Sequence, residues 1–444
     1  MRVKIVEPYD LDRRYDIRSL TPGLGPVVVA TLLHRAGHDV EVLSEYVGPL
    51  EEADLEGADL VGISIATYNA RKGFAMARRI DRPVVFGGFH ASLRPEECLR
   101  YGDYVIRGDG HAVVPLAARL AGEGGCDLRG VPNLVYRENG RTVYNRMEPR
   151  LPDVVPDFRL VKGYHRLSAN RLLRIPLLVS GSRGCPHRCA FCAVVRVYPE
   201  VRTKGVASVV EDVRSQTAQQ PWLSKCLPRI VWITDDHFSS DRAWAVALMK
   251  GLSRLRTGYR FVIQVRADIA EDDELLSLMK RADIGAVYMG IEGMDQESLD
   301  GFEKGLSFGS VLRAVEKIRG HGMDVRGLFV FGGDTFRKGD GRKVARFARG
   351  LGLGGLLIQP LTPFPGTKLF RRLQREHRIL HEHWQDYNGK VVFRPRHLSA
   401  AELQEEVYQG YRTFYSPGFL LRLVLKGRRG FRRQIFGEGL IRHL

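Results

Sequence analysis

The sequence predicts an α/β protein with three parts: an N-terminal doubly wound parallel sheet, a partial (β/α)6 barrel and a helical C-terminal segment. Two observations predict the sheets. Apolar strands alternate with helical segments over residues 1–125, and six strand-loop-helix units follow over residues 177–370. A third observation is a run of three cysteines between Cys185 and Cys192, which predicts a metal centre at the start of the second region. We expect residues 126–176 to be a connector and residues 371–444 to be helical and basic.

The first region shows the spacing of strands that are joined by crossover helices. Strands are expected at residues 2–6, 39–43, 60–65, 83–86 and 104–107, and helices at 25–37, 70–80 and 112–121. Ligands bind such sheets at the carboxyl ends of the strands, where glycines let the backbone approach closely. The candidate binding residues come from the loops there: Leu24, Gly25, Ser64, Thr67, Gly87, Gly88, His90, Gly108 and Gly110.

The connector carries two local signals. Asn139-Gly140 between two short apolar runs predicts a β-hairpin. Prolines punctuate residues 149–158, which predicts an extended linker that crosses between the two domains.

The second region begins with a buried strand at residues 177–180 and the loop Cys185-Pro-His-Arg-Cys189-Ala-Phe-Cys192. Thiolates are ligands for iron–sulfur clusters and for zinc. A [4Fe–4S] cluster usually takes four cysteines, so three on one loop leave one iron open. A structural zinc site needs a fourth ligand, and His187 inside the loop makes a zinc site the competing interpretation.

Polar residues follow the strands of the second region, where barrel enzymes build their sites. The strands are expected at residues 177–180, 229–234, 260–265, 286–290, 324–331 and 355–360. The candidate site residues at their ends are Asp236, Arg266, Glu292 and Thr362. The competing interpretation of each acid is an ordinary strand-end or N-cap residue.

The cysteine loop resembles the cluster-binding loop of the radical S-adenosylmethionine (SAM) enzymes, whose pattern is CxxxC-x-aromatic-C. The strand ends Asp235-Asp236-His237-Phe238, Gly290-Ile-Glu292-Gly293 and Thr362-Pro-Phe-Pro-Gly-Thr367 are similar to those of the cobalamin-associated branch of that family. This resemblance covers about residues 1–370 and implies a [4Fe–4S] cluster held by Cys185, Cys189 and Cys192. It also implies SAM, whose ammonium, carboxylate and ribose would meet Asp236, Arg266 and Glu292 respectively.

The first region resembles the cobalamin-binding domain of the same branch. The matching segments are Pro22-Gly23-Leu24-Gly25, Gly87-Gly88-Phe89-His90 and Gly108-Asp109-Gly110-His111. The last departs from the family's usual Gly-Glu-Gly-Glu but keeps an acid between glycines. No Asp-x-His-x-x-Gly stretch is present, which implies cobalamin held without a histidine ligand to cobalt. The alternative is a flavodoxin-like domain that has lost its cofactor.

The resemblance implies methyl transfer to an unactivated carbon of a small-molecule or natural-product substrate by a 5′-deoxyadenosyl radical mechanism. Flavodoxin or ferredoxin would be the reducing partner. A non-methylating cyclisation, rearrangement or oxidation in the same architecture is the alternative. A methylthiotransferase fits less well, because the first domain lacks three further cysteines. A zinc-containing nucleic-acid-binding protein is a further alternative from a different class.

Bulk properties are typical of a multidomain protein in a reducing cytoplasm. The chain has 444 residues, 44% of them hydrophobic, and a formal net charge of +17. The six cysteines do not suggest a disulfide framework, no signal-peptide pattern begins the chain, and no apolar window is long enough to span a membrane. We interpret the charge as solvated basic faces and expect no nucleic-acid partner.

In the C-terminal segment, the capping box Ser399-Ala-Ala-Glu402 predicts the start of a helix. Leu403, Val407, Tyr411 and Phe414 recur at helical spacing, which indicates a packing stripe. The basic tail from Pro417 onward either packs on the barrel or makes a peripheral contact with an anionic membrane.

Overall fold

Two mainly parallel sheets organise the protein, and the predicted fold class is confirmed. The structure is a computed structural model that describes residues 1–9, 21–122, 127–164, 177–218 and 229–419. Cys126, Cys226 and the tail beyond residue 419 lie outside the described residues.

The first sheet has the strand order β2-β1-β3-β4-β5-β6-β7, and its first five strands are parallel. The strands are β1 (Arg2–Glu7), β2 (Asp39–Ser44), β3 (Leu60–Ser64), β4 (Val84–Gly87), β5 (Tyr104–Ile106), β6 (Leu134–Glu138) and β7 (Arg141–Tyr144). The helices are α1 (Leu24–Arg35), α2 (Ala70–Ala77), α3 (Phe89–Leu93), α4 (Pro95–Cys98) and α5 (Val113–Leu120). The strand order reverses between β1 and β3, and ligands of doubly wound sheets bind at such a switch point.

The predicted hairpin is confirmed, and it extends the first sheet. Strand β6 pairs with β5 and with β7, in both cases antiparallel. Asn139 and Gly140 have φ values of 51° and 76°, the left-handed conformation that a tight hairpin turn of this kind requires.

The second sheet is an open, parallel six-stranded sheet in the order β15-β14-β13-β12-β11-β8. Its strands are β8 (Leu177–Val179), β11 (Ile230–Ile233), β12 (Arg260–Val265), β13 (Ile284–Glu292), β14 (Asp324–Phe331) and β15 (Gly355–Pro360). A short antiparallel ribbon, β9 (Ser182–Arg183) with β10 (Arg202–Thr203), flanks the cysteine loop. Every strand that the sequence predicted in this region is present, close to its expected bounds.

Helices cover the outer face of this sheet and bury the largest core of the protein. They are α6 (Val194–Val197), α7 (Val206–Ala218), α8 (Arg242–Ser253), α9 (Asp273–Arg281), α10 (Gln296–Gly301), α11 (Phe308–Gly320), α12 (Asp340–Gly350), α13 (Lys368–Arg375) and α14 (Ala400–Phe414). In the described part of the chain, no helix has both the length and the apolar character needed to cross a membrane.

Helix α14 begins at the predicted capping box. The Ser399 hydroxyl accepts from the Glu402 amide at 3.2 Å, and the Glu402 carboxylate accepts from the Ser399 amide at 2.9 Å. Leu403, Val407 and Phe414 are buried in the main core, which confirms the packing role of the stripe.

The segment between α13 and α14 returns to the first domain. Trp384, Tyr387 and Val392 belong to the hydrophobic core on one face of the first sheet. Trp384 Nε1 donates to the Glu97 carboxylate at 2.8 Å, and the Trp384 ring contacts the ring of His90 edge-on. This contact fixes the first domain relative to the barrel.

Candidate cofactor sites at the seam between the two domains

The cysteine loop leaves the barrel at the carboxyl end of β8 through the ribbon β9–β10. Gly184, between the ribbon and Cys185, has a φ of 89°, and a side chain there would clash with the Glu200 carbonyl. Cys185, Cys189 and Cys192 are free, partly buried thiols. A backbone hydrogen bond from Cys192 to Cys189 closes the end of the loop.

Two acids at the end of β11 hold the entry to this loop. The Asp235 carboxylate accepts from the Gly181 amide at 2.7 Å and from the Ser182 hydroxyl at 2.8 Å. Asp236 Oδ2 accepts from the Gly184 amide at 2.9 Å. Burial raises the pKa of Asp235 to about 6 despite these hydrogen bonds. Because Asp236 accepts from the Gly184 amide, one carboxylate oxygen of this predicted SAM partner is already hydrogen-bonded to the loop backbone.

The three sulfurs are not all as close to one another as a zinc site requires. Zinc–sulfur bonds of about 2.3 Å in a tetrahedron require sulfurs about 3.8 Å apart. The described residues contain two groups of three potential ligand atoms within 4.8 Å of one another, and neither includes a cysteine. In a [4Fe–4S] cluster each cysteine binds a different iron, so wider separation is expected. Burial raises the pKa of Cys185, and that of Cys192 to about 11, so metal binding must release protons.

The ring of His187 lies beside His237 and Asp268. Its Nε2 is 3.8 Å from the Asp268 carboxylate, and its ring centroid is 5.4 Å from that of His237. Burial lowers the pKa of His187. This position does not fit the fourth ligand of a zinc site.

Arg266 and Glu292 meet at Lys304, at the carboxyl ends of β12 and β13. Glu292 Oε1 accepts from Lys304 Nζ at 2.6 Å, and all three side chains are buried. Arg266 donates to the Lys304 carbonyl at 2.5 Å and to Asp268 at 3.1 Å. The Thr362 hydroxyl donates to the Pro360 carbonyl within its own turn.

A cavity, which we name the seam cavity, lies between the two domains. The first domain supplies seven of the predicted residues to its wall: Leu24, Gly25, Ser64, Gly87, Gly88, Gly108 and Gly110. The linker supplies Leu151, Pro152 and Pro156, and the barrel domain supplies Ser180, Arg183, Tyr198 and Lys204.

Thr67 and His90 lie outside this wall. Both are buried, and His90 Nδ1 is 3.4 Å from the Thr67 hydroxyl. The His90 ring packs edge-on against the Trp384 ring, and neither Thr67 nor His90 lines the cavity.

Sequence reasoning missed Arg183, Tyr198 and Lys204. Arg183 donates to the Tyr198 hydroxyl at 3.1 Å, and Lys204 follows strand β10 directly. These residues flank the cysteine loop along the chain, which is the only sequence signal of their position. Arg183 lies in a strand of two residues and Lys204 follows another, and strands this short show no alternation to recognise.

Comparisons with known proteins agree with this architecture. A radical SAM superfamily model matches residues 179–348, and a B12 binding domain model matches residues 15–118. The bacteriochlorophyllide d C-12(1)-methyltransferase of Chlorobaculum tepidum is 26% identical, over 89% of this chain and 84% of that protein. An anaerobic magnesium-protoporphyrin IX monomethyl ester cyclase of Cereibacter sphaeroides is 23% identical, over 98% of this chain and 73% of that protein.

Among solved structures, the radical SAM methyltransferase TsrM from Kitasatospora setae, with cobalamin and a [4Fe–4S] cluster bound, shares the fold. Its TM-score is 0.71 at 21% identity, over 84% of this chain and 78% of that one. The chain therefore combines a radical SAM domain with a B12 binding domain, and the cofactors of these domains are a [4Fe–4S] cluster, SAM and cobalamin.

Proposed function

We propose that this enzyme transfers a methyl group to an unactivated carbon of a small-molecule substrate. The observation that carries the proposal is the seam cavity, whose wall combines the glycine loops of the first domain with residues that flank the cysteine loop. A reaction that uses both cofactors on one substrate requires such a shared wall. The similarity to a bacteriochlorophyllide methyltransferase over most of both chains supports methyl transfer as the outcome.

We assign Cys185, Cys189 and Cys192 to the cluster, which leaves one iron for SAM. When bound, these cofactors supply a carbon radical and a methyl group. The protein supplies their orientation. Asp235 and Asp236 fix the entry to the loop through the hydrogen bonds described above.

Glu292 is the proposed partner of the SAM ribose. Its backbone lies in the left-handed region at a φ of 65°, a conformation that other side chains must hold in place. The Lys304 ammonium does so, because it contacts one carboxylate oxygen while the backbone carbonyl of Lys304 accepts from Arg266. A carboxylate held in this way presents an acceptor to hydroxyl groups without losing side-chain freedom on binding.

Arg266 and Asp236 are proposed to meet the carboxylate and ammonium of SAM, and Thr362 completes this group at the end of β15. Leu24, Gly25, Ser64, Gly87, Gly88, Gly108 and Gly110 are proposed to contact cobalamin. The reductant is proposed to be a flavodoxin or ferredoxin, and the setting a reducing cytoplasm in which an oxygen-sensitive cluster survives.

The test is product analysis with the anaerobically reconstituted full chain, a chemical reductant and SAM. We expect both 5′-deoxyadenosine and S-adenosylhomocysteine, and neither from the Cys189→Ala variant. Deoxyadenosine without S-adenosylhomocysteine would instead support a non-methylating reaction, the second candidate, which the similarity to a cyclase over 98% of the chain favours. A cluster-loaded protein that forms neither product would contradict both candidates.

A further inference from the structure

The two sides of the seam cavity differ in charge. The wall from the first domain and the linker is glycine-rich and apolar apart from Ser64. The barrel side carries two cations, Arg183 and Lys204, and no carboxylate belongs to the described wall. Arg183 has partners in Tyr198, at 3.1 Å, and Asp109, at 3.6 Å. The environment of Lys204 is different.

Lys204 is an almost completely buried ammonium with one hydrogen-bond acceptor. Its residue is 4% exposed, and Nζ donates to the Val154 carbonyl at 3.2 Å. Among the described residues, no carboxylate lies within ion-pair distance, 4.0 Å, of Nζ. An ammonium has three donors, and burying its charge without compensation is costly. Burial lowers the pKa of Lys204, and the negative charge of Asp212, which lies farther away, opposes this shift.

The backbone holds this side chain against the cavity. The Lys204 amide donates to the Gly181 carbonyl at 2.8 Å, and its carbonyl accepts from Trp244 Nε1 at 2.8 Å. The first bond ties Lys204 to the end of β8, which leads into the cysteine loop, and the second ties it to helix α8. Lys204 therefore lines the cavity from a fixed backbone, and its ammonium has donor capacity that the protein does not use.

We infer that Lys204 is a cobalamin-binding residue whose ammonium donates a hydrogen bond to an acceptor oxygen of the cofactor. This inference rests on the cobalamin site in the seam cavity. Cobalamin offers two sources of such an oxygen, the carboxamides of the corrin ring and the phosphodiester of its nucleotide loop. Either would supply the acceptor that the buried ammonium lacks.

The test measures the dissociation constant of hydroxocobalamin by equilibrium dialysis with the full chain. We expect Lys204→Met and Lys204→Gln to raise it about tenfold, as for the loss of a hydrogen bond from a charged group. Lys204→Arg keeps the charge and donors and should stay within about threefold of the parent protein. Cobinamide, which lacks the nucleotide loop, distinguishes the sources. An equal loss of affinity for both probes assigns the contact to the corrin amides, and a loss for hydroxocobalamin alone assigns it to the phosphodiester.

If Lys204 binds cobalamin and has no structural role, removal of its buried, weakly paired charge should leave the cobalamin-free Lys204→Met protein as stable as its parent, or more so. A structural role predicts a loss of stability instead. The exposed Lys250→Met is the matched control for both measurements. An unchanged dissociation constant in Lys204→Met overturns the inference. If neither the Met nor the Gln variant folds, the refolded Lys204→Ala apoprotein is tested instead. Parent-like binding of hydroxocobalamin by that variant also overturns the inference. If the parent protein itself does not bind hydroxocobalamin, the cobalamin site fails, which is a separate outcome.

Discussion

Arg183 Nη1 lies 3.6 Å from Asp109 Oδ1, across the boundary between the two domains. Arg183 stands two residues before Cys185, and Asp109 occupies the glycine turn after β5. Asp109 is buried, and burial raises its pKa while the charge of Arg183 opposes that rise. The pair joins the cysteine loop to the first domain, so the two proposed cofactor sites share a direct electrostatic contact.

A double-mutant cycle of Arg183→Met and Asp109→Asn should reveal this contact as coupling. We expect an interaction of about 1 kcal/mol in the free energy of unfolding, measured by urea denaturation of the cofactor-free protein. The exposed pair Arg214 and Glu211 is the control, because exposed ion pairs of this kind contribute little. Additive effects of the two substitutions would show that the contact does not link the domains.

The cysteine loop can be tested one thiol at a time. Cys185→Ala, Cys189→Ala and Cys192→Ala should each lose most of the about four irons that a [4Fe–4S] cluster contains. Cys98→Ala is the matched control, because Cys98 is a fully buried thiol of the first domain and far from the loop in sequence. Iron and sulfide are measured after anaerobic reconstitution. Retention of four irons by any loop variant would contradict the assignment of that cysteine.

The sequence predicted the strands well because the physical signal is local. Parallel strands that are buried on both faces form continuous apolar runs, as Leu60–Ser64 does. The cysteine spacing is equally local. The contacts that complete the seam cavity are not local, since Arg183 beside the cysteine loop meets Asp109 of the first domain. Such contacts leave no periodic pattern, so Arg183 and Lys204 escaped notice, whereas His90 was selected by loop position and lies in the core instead.

The buried pair of Glu292 and Lys304 permits a test that separates stability from SAM binding. Glu292→Gln leaves the Lys304 ammonium buried without its carboxylate, which should cost about 3 kcal/mol of stability. It should also weaken SAM binding about tenfold, through the loss of a charged hydrogen-bond acceptor. The double variant Glu292→Gln/Lys304→Met should recover stability but not SAM affinity.

Equilibrium dialysis with radiolabelled SAM and urea denaturation measure the two quantities. Recovery of SAM affinity in the double variant would mean that Glu292 acts only through the fold. Loss of stability in both variants would mean that the pair is needed for packing.

Glu97 should make the attachment of Trp384 depend on pH. Burial alone would raise the pKa of Glu97, but its contacts with His90 and Trp384 lower it from 4.5 to about 2. A depressed pKa in the folded state stabilises the protein above pH 4.5, and this contribution is lost as the pH falls from 4.5 towards 2. The contribution is at most about 3 kcal/mol. The Glu97→Gln variant should therefore be less stable than the parent protein at pH 6. Its free energy of unfolding should also decline less between pH 5 and pH 3.

Urea denaturation at several pH values measures this dependence. Glu211→Gln, which removes an exposed carboxylate, should retain the slope of the parent protein. A parental slope in Glu97→Gln would show that other groups govern the acid sensitivity.

Gly87 and Gly88 are adjacent residues of the seam cavity whose substitutions should have opposite consequences. Gly88 has a φ of 97°, and a Cβ there would lie 2.5 Å from the Ile65 carbonyl oxygen. Gly88→Ala should therefore destabilise the first domain by about 1–3 kcal/mol.

A Cβ on Gly87 meets no atom within 4 Å, so Gly87→Ala should fold normally. Gly87→Leu should keep the parental unfolding midpoint but weaken hydroxocobalamin binding at least tenfold, because its side chain occupies space that the cofactor needs. Undiminished binding by a folded Gly87→Leu protein would place cobalamin away from this loop.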